Sequence, residues 1–257
     1  MSRIKKTFAK LKREGRKAFI PYVMAGDPTL ERTAELVHLL EECRADIIEL
    51  GVPFSDPLAD GPVIQRAAER ALANGTRLRH VVRLVRELRA TTQVPIALMT
   101  YYNPVFKYGE ERFTADASAA GVDGLIIPDL PPHEAKSLIK LCRKADVDTI
   151  FLTAPTSTEE RRKIVAKAAS GFIYYVSMTG ITGAGLAMDT SIAESVRGMS
   201  ELGGGKPVAV GFGVSTPEEA SAVAAFSDGV IVGSAIVRRA SEPGLREFVT
   251  SLRAAIR

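Results

Sequence analysis

Apolar runs rich in β-branched residues recur along the chain at 19–24, 46–51, 94–99, 122–128, 147–153, 171–177, 206–211 and 228–233. Between them the spacing changes to that of amphipathic helices, over 30–43, 62–73 with 77–91, 109–120, 133–144, 158–169, 189–202, 216–225 and 243–256. Helix starts are marked locally. Ser157-Thr158-Glu159-Glu160 and Ser215-Thr216-Pro217-Glu218 each set a hydroxyl cap ahead of acidic residues or proline. The pattern is a strand–helix unit of roughly 30 residues, repeated about eight times.

Continuous apolar strands alternating with amphipathic helices predict a parallel sheet covered by helices. Eight units in 257 residues match an α/β fold of the (β/α)8 TIM-barrel type. A doubly wound open sheet is the competing arrangement. It would normally carry Gly-x-Gly-x-x-Gly after its first strand, where this chain reads "VMAGDPT". Ile4, Phe8 and Leu11 share one helical face and predict an extra N-terminal helix. The 62–73 helix is an insertion after strand two. No Ser/Gly-rich linker divides the chain, so one barrel domain over 1–257 is expected.

Composition narrows the class. No apolar run approaches the ~20 residues of a membrane span, and the N-terminus lacks the features of a secretory signal. Two lone cysteines, Cys43 and Cys142, fit a reducing cytoplasm better than a disulfide framework. Residues 1–17 hold eight Lys/Arg against one acid, a local +7, so the net +4 leaves the remainder near −3. Phe8, its one aromatic, shares the apolar face with Ile4 and Leu11, so no aromatic stands among the basic residues in the manner of a nucleic-acid surface. It reads as the solvated face of the first helix.

In such a barrel the active site lies at the C-terminal strand ends, and there polar residues and glycines collect. Strand seven ends Gly211-Phe212-Gly213, strand eight Gly233-Ser234, and strand six runs into a loop with Gly183. Glycines on adjacent strands let backbone N–H groups approach an anion, and Ser234 adds a hydroxyl, so a phosphate site is expected. Period two sets Ile47, Glu49 and Gly51 on one face and Ile48 and Leu50 on the other. Glu49 therefore points into the barrel, where an apolar wall raises its pKa toward the range of a general acid–base. Asp60, on the following loop, is the natural second carboxylate; Asp56 and Asp27 are weaker candidates. His38, His80 and His133 fall on helices, and neither a Ser-His-Asp order nor His-x-x-x-His nor Cys-x-x-Cys occurs. Metal-free acid–base chemistry on a phosphorylated substrate is the expectation.

The segment "IELGVPFSDPLADGPVIQRA" resembles the signature of the tryptophan synthase alpha chain family, as do "PYVMAGDP", "MTYYNPVF", "PDLP", "TGITGAG", "GFGVS" and "GSAIV" in order. The resemblance implies cleavage of indole-3-glycerol phosphate to indole and glyceraldehyde 3-phosphate. It implies no cofactor in this chain, and a beta-chain partner that carries pyridoxal phosphate in an alpha2-beta2 tetramer. Glu49 matches the family's acid–base residue and Asp60 the carboxylate that takes the indole N–H. Gly183, Gly213, Gly233 and Ser234 match its phosphate positions. Residues 177–190 match its lid, Thr182 the lid threonine that reaches Asp60, and Tyr174 a site tyrosine. With strand parity, the resemblance assigns Tyr22, Ile64, Thr100, Leu125, Ile127 and Phe212 to the indole slot. Asp56, Asn103 and Pro104 match regions that face the beta chain. A free-standing lyase of the same chemistry is the alternative. One departure is Met178, where Arg or Val was expected before "TGITG".

Overall fold

Every strand pairing in the computed structural model of the chain is parallel. The structure describes residues 1–177, 190–211 and 213–257. Among these, β1 (Ala18–Met24), β2 (Ile48–Gly51), β3 (Ile96–Met99), β4 (Gly124–Ile126) and β5 (Asp148–Ile150) run in sequence around one side. β6 (Leu152–Thr153), β7 (Ile173–Val176), β8 (Val208–Gly211) and β9 (Gly229–Val232) return to β1 on the other. Only Phe151 separates β5 from β6. The predicted fifth strand is thus one passage of chain, its halves bonded to different neighbours, and it nearly closes the barrel.

Each strand is followed by helical cover. α2 (Leu30–Glu42) follows β1; α3 (Pro62–Ala73) and α4 (Leu78–Leu88) follow β2. α5 (Tyr102–Tyr108) and α6 (Glu110–Ala120) follow β3, and α7 (Lys136–Lys144) follows β4. α8 (Glu159–Ala168), α9 (Thr190–Leu202) and α10 (Pro217–Ala224) continue the series, and α11 (Ser234–Arg239) and α12 (Leu245–Ala255) end it. The caps are those the sequence announces. Thr158 accepts from the Arg161 N–H, and Thr216 forms a reciprocal capping box with Glu219. The short α5 was not apparent in the hydrophobic pattern.

Two apolar clusters result. The outer one joins Ile48, Leu50, Ile96 and Leu98 to the helices; the inner one fills the barrel with Ile20, Tyr22, Ala97, Met99, Ile126, Tyr174, Ala209 and Ile231. The base is closed by α1 (Arg3–Arg13), whose Ile4, Phe8 and Leu11 belong to the inner cluster. The Phe8 and Phe172 rings lie 5.6 Å apart. At Gly124 a Cβ would fall 2.9 Å from the Ile4 side chain, so the helix seats on a strand without one. Asp123, beneath β4, pairs with Arg89 at 2.7 Å and with Arg3 at 3.0 Å, tying α1 and α4 to the barrel floor.

Candidate active site

The β1–β2 register sets Tyr22 beside Glu49, and the β2–β3 register sets Glu49 beside Ala97. Glu49 is fully buried and faces the interior, as period two requires. Among the described residues neither of its carboxyl oxygens has a hydrogen-bond partner. Burial first, and the nearby Asp60 second, push its pKa up to about 8. The carboxyl is therefore mostly protonated at neutrality, yet within reach of ionisation.

Glu49 lines a cavity of about 210 Å³ at the C-terminal mouth, together with Tyr22, Asp60, Ile64, Met99, Tyr174, Gly213, Ile231, Gly233 and Ser234. Asp60 hangs over it from the β2–α3 loop. Burial raises its pKa, while an interaction with the Tyr101 hydroxyl acts in the opposite sense. The Gln65 side chain donates to the Asp60 carbonyl at 2.8 Å and fixes that residue to the first turn of α3. Below the loop, Asp27 and Arg70 form a two-pronged pair at 2.7 Å, which holds α3 against the end of β1. Asp27 is thus engaged by a helix rather than turned to the cavity.

Tyr22 and Tyr174 flank the carboxyl. Burial and then the two carboxylates raise both phenols, so they stay neutral. Each ring crosses a glycine. A Cβ at Gly51 would lie 1.9 Å from the Tyr22 hydroxyl, and one at Gly211 2.6 Å from that of Tyr174. Opposite, Gly213 has φ +86°, a left-handed conformation suited to glycine. α11 opens at Ser234, so its first N–H groups have no carbonyl ahead of them within the helix. Among the described residues, those that line this end of the cavity, Gly213, Val214, Ser215, Gly233 and Ser234, carry no charged side chain.

The indole-slot assignments divide. Tyr22 and Ile64 line the cavity. Leu125 and Ile127 do not: both belong to the outer cluster and face Leu130, Ala135 and Leu138 beneath α7. In β4 it is Ile126 that points inward. Thr100 is buried but off the cavity, and the preceding Met99 lines it instead. Both corrections have one cause. These strands are apolar on both faces, so composition does not set their parity. Thr182, Gly183, Phe212 and Met178 lie outside the described residues, as does nearly all of 177–190. Met99, Ile231, Val214 and Ser215 were missed; Ile231 was accessible by counting two back from Gly233.

Outside the mouth, Pro53, Phe54, Asn103, Pro104 and Lys107 line a broad hollow of about 880 Å³. Asp56 is exposed on the adjoining loop and accepts from the Ser55 hydroxyl. Leu58 and Phe106 project nearby, 85% and 65% exposed. Among the described residues no group of three His, Cys, Asp or Glu is disposed to hold a metal.

The family model described as "Tryptophan synthase alpha chain" matches residues 8–254. The tryptophan synthase alpha chain of Geobacter sulfurreducens is 52% identical, covering 100% of this chain and 99% of that relative. That of Burkholderia multivorans is 48% identical, covering 100% and 97%. Among solved structures, tryptophan synthase subunit alpha from Legionella pneumophila superposes with a TM-score of 0.91 at 41% identity, covering 100% of this chain and 98% of that one. A tryptophan synthase structure from Mycobacterium tuberculosis gives 0.91 at 38%, with the same coverage.

Proposed function

Because the chain belongs to the tryptophan synthase alpha chain family, a lyase family that cleaves indole-3-glycerol phosphate, we propose that Glu49 and Asp60 carry that cleavage here. The observation that carries the reading is the buried Glu49 carboxyl, unpartnered among the described residues, lining one cavity with an ionisable Asp60. A protonated Glu49 delivers its proton to C3 of the indole, which converts the ring to an indolenine cation. Asp60 accepts the indole N–H and offsets the charge as it develops. The glycerol hydroxyl next to the scissile bond then gives up its proton to the Glu49 carboxylate. Its oxygen closes a carbonyl, the C–C bond breaks, and the electron pair returns to the ring. A group with a pKa of about 8 suits both directions of transfer near neutrality.

The donor-rich end at Gly213, Gly233 and Ser234 suits the phosphate; the roles that the family resemblance gives to Gly183 and Thr182 fall on residues outside those described. Tyr174, Tyr22 and Ile64 bound the slot for the indole, and the family resemblance assigns Gly211 and Phe212 to substrate binding, Phe212 lying outside the described residues. The exposed Leu58 and Phe106 beside the hollow at Phe54, Asn103 and Pro104 suit a protein partner. We assign that face, with Asp56, to a beta chain in an alpha2-beta2 tetramer whose pyridoxal phosphate consumes the indole. No helix among the described residues is long and apolar enough to cross a membrane, and a cytoplasmic setting suits the two free cysteines.

The test is indole release from indole-3-glycerol phosphate by the purified chain, alone and with a beta chain. The expected result is weak turnover that rises with the partner, lowered by at least a hundredfold in Glu49→Gln. Turnover retained within tenfold in that variant, with its fold intact, would remove Glu49 from the mechanism.

A further inference from the structure

Tyr101 lies between the outer hollow and the cavity without lining either. Its position is fixed from several sides. It is the residue before α5, whose first N–H, on Tyr102, donates to both Asp129 carboxylate oxygens at 2.9 and 3.2 Å. The side chain is buried, and its ring stacks on Phe54 with centroids 5.2 Å apart and planes at 30°. Its hydroxyl accepts the Ala59 N–H at 3.0 Å. Phe54 and Ala59 belong to the same β2–α3 loop, and Ala59 immediately precedes Asp60. One phenol therefore grips the loop twice, at its outer wall through the ring and at its inner end through oxygen.

We propose that Tyr101 is a positioning residue for the cleavage: it holds the Ala59–Asp60 segment over the cavity so that the Asp60 carboxylate meets the indole N–H. The assignment rests on Asp60 having the role given above. Without the hydroxyl, the Ala59 N–H loses its partner and the loop keeps only the ring contact. Because Phe54 also lines the hollow, displacement of that wall reaches Asp60 through the Tyr101 ring.

The hydroxyl has a second, separable effect. Its interaction with Asp60 favours the ionised carboxylate against burial. The other titratable groups among the described residues that face Asp60 are Glu49 on β2, Tyr22 on β1 and Tyr174 on β7, none of them cationic. The acid limb of the reaction thus reports Asp60, and loss of the hydroxyl moves that limb to higher pH.

The experiment is steady-state indole release by the full chain, alone and with a beta chain, for the native protein, Tyr101→Phe and Tyr101→Ala across pH. In Tyr101→Phe the expected result is a kcat about tenfold lower, a KM within about twofold because the phosphate end is untouched, and an acid limb displaced upward. Tyr101→Ala, which also loses the stack on Phe54, should fall further. A Tyr101→Phe kcat within twofold of native overturns the proposal. So does a loss of kcat with an unmoved acid limb, which would mark a structural role, or an effect confined to KM. Absence of turnover in the native chain with its partner would instead remove the functional reading, and this proposal with it.

Discussion

Glu49→Gln should stabilise the folded chain, and by an amount that grows with pH. The carboxyl's pKa rises from an ordinary 4.5 to about 8 on folding, so the unfolded chain ionises first as pH increases. The group imposes no penalty below about pH 4.5; above it, native stability falls until the folded form ionises near pH 8. Each unit corresponds to about 1.4 kcal/mol, so the full displacement is on the order of 5 kcal/mol. Between pH 5.5 and 8.5 the native chain should lose roughly 3 kcal/mol through this group alone. Glutamine keeps the shape and is neutral throughout. Urea unfolding of both proteins at the two pH values, compared through midpoint and slope, measures the difference. Expected is a variant more stable by about 1.4 kcal/mol at the acidic value and by roughly 4.6 kcal/mol at the alkaline one. Profiles parallel to within about 0.5 kcal/mol would mean that Glu49 is not held neutral by burial, and the argument for its acid–base role would lose its physical basis.

Gly51→Ala should cost about 1–3 kcal/mol by urea unfolding, because its Cβ would fall on the Tyr22 hydroxyl; with Tyr22→Ala already in place the added cost should drop below about 0.5 kcal/mol. Arg89→Ala should destabilise the chain by about 3 kcal/mol, since it leaves the charge of Asp123, 3% exposed, to the half-exposed Arg3 and the Ile96 N–H; a loss under about 1 kcal/mol would show that the floor is held mainly by apolar packing. Ser234→Ala should raise KM for indole-3-glycerol phosphate and the inhibition constant of inorganic phosphate together, by roughly three- to tenfold, with kcat little changed.

Of the two carboxylates that line the candidate cavity, Glu49 is the one the strand pattern marks. Glu49 stands out as a charge in an apolar strand, and that same charge settles which face of β2 points inward. β3 and β4 contain no such marker. Apolar on both faces, they allow a one-residue error in parity, which exchanged Met99 for Thr100 and Leu125 and Ile127 for Ile126. The division of the fifth strand at Phe151 and the seven-residue α5 were hidden for another reason. Both depend on how neighbours pair and on the Asp129 side chain reaching Tyr102, contacts remote in sequence or made after a turn. Tyr101 was missed as well: in "MTYYNPVF" nothing distinguishes the tyrosine that grips the loop from the one that begins a helix.

The first helix has a consequence for traffic. With Ile4, Phe8 and Leu11 packed into the base of the barrel, the fold is a vessel with one rim. In the function proposed above, substrate arrives and both products depart by the C-terminal mouth, the side where Leu58 and Phe106 stand exposed. A protein seated on that rim meets every departing indole, so delivery to a second catalyst requires no dedicated exit through the barrel wall, only a floor that does not leak.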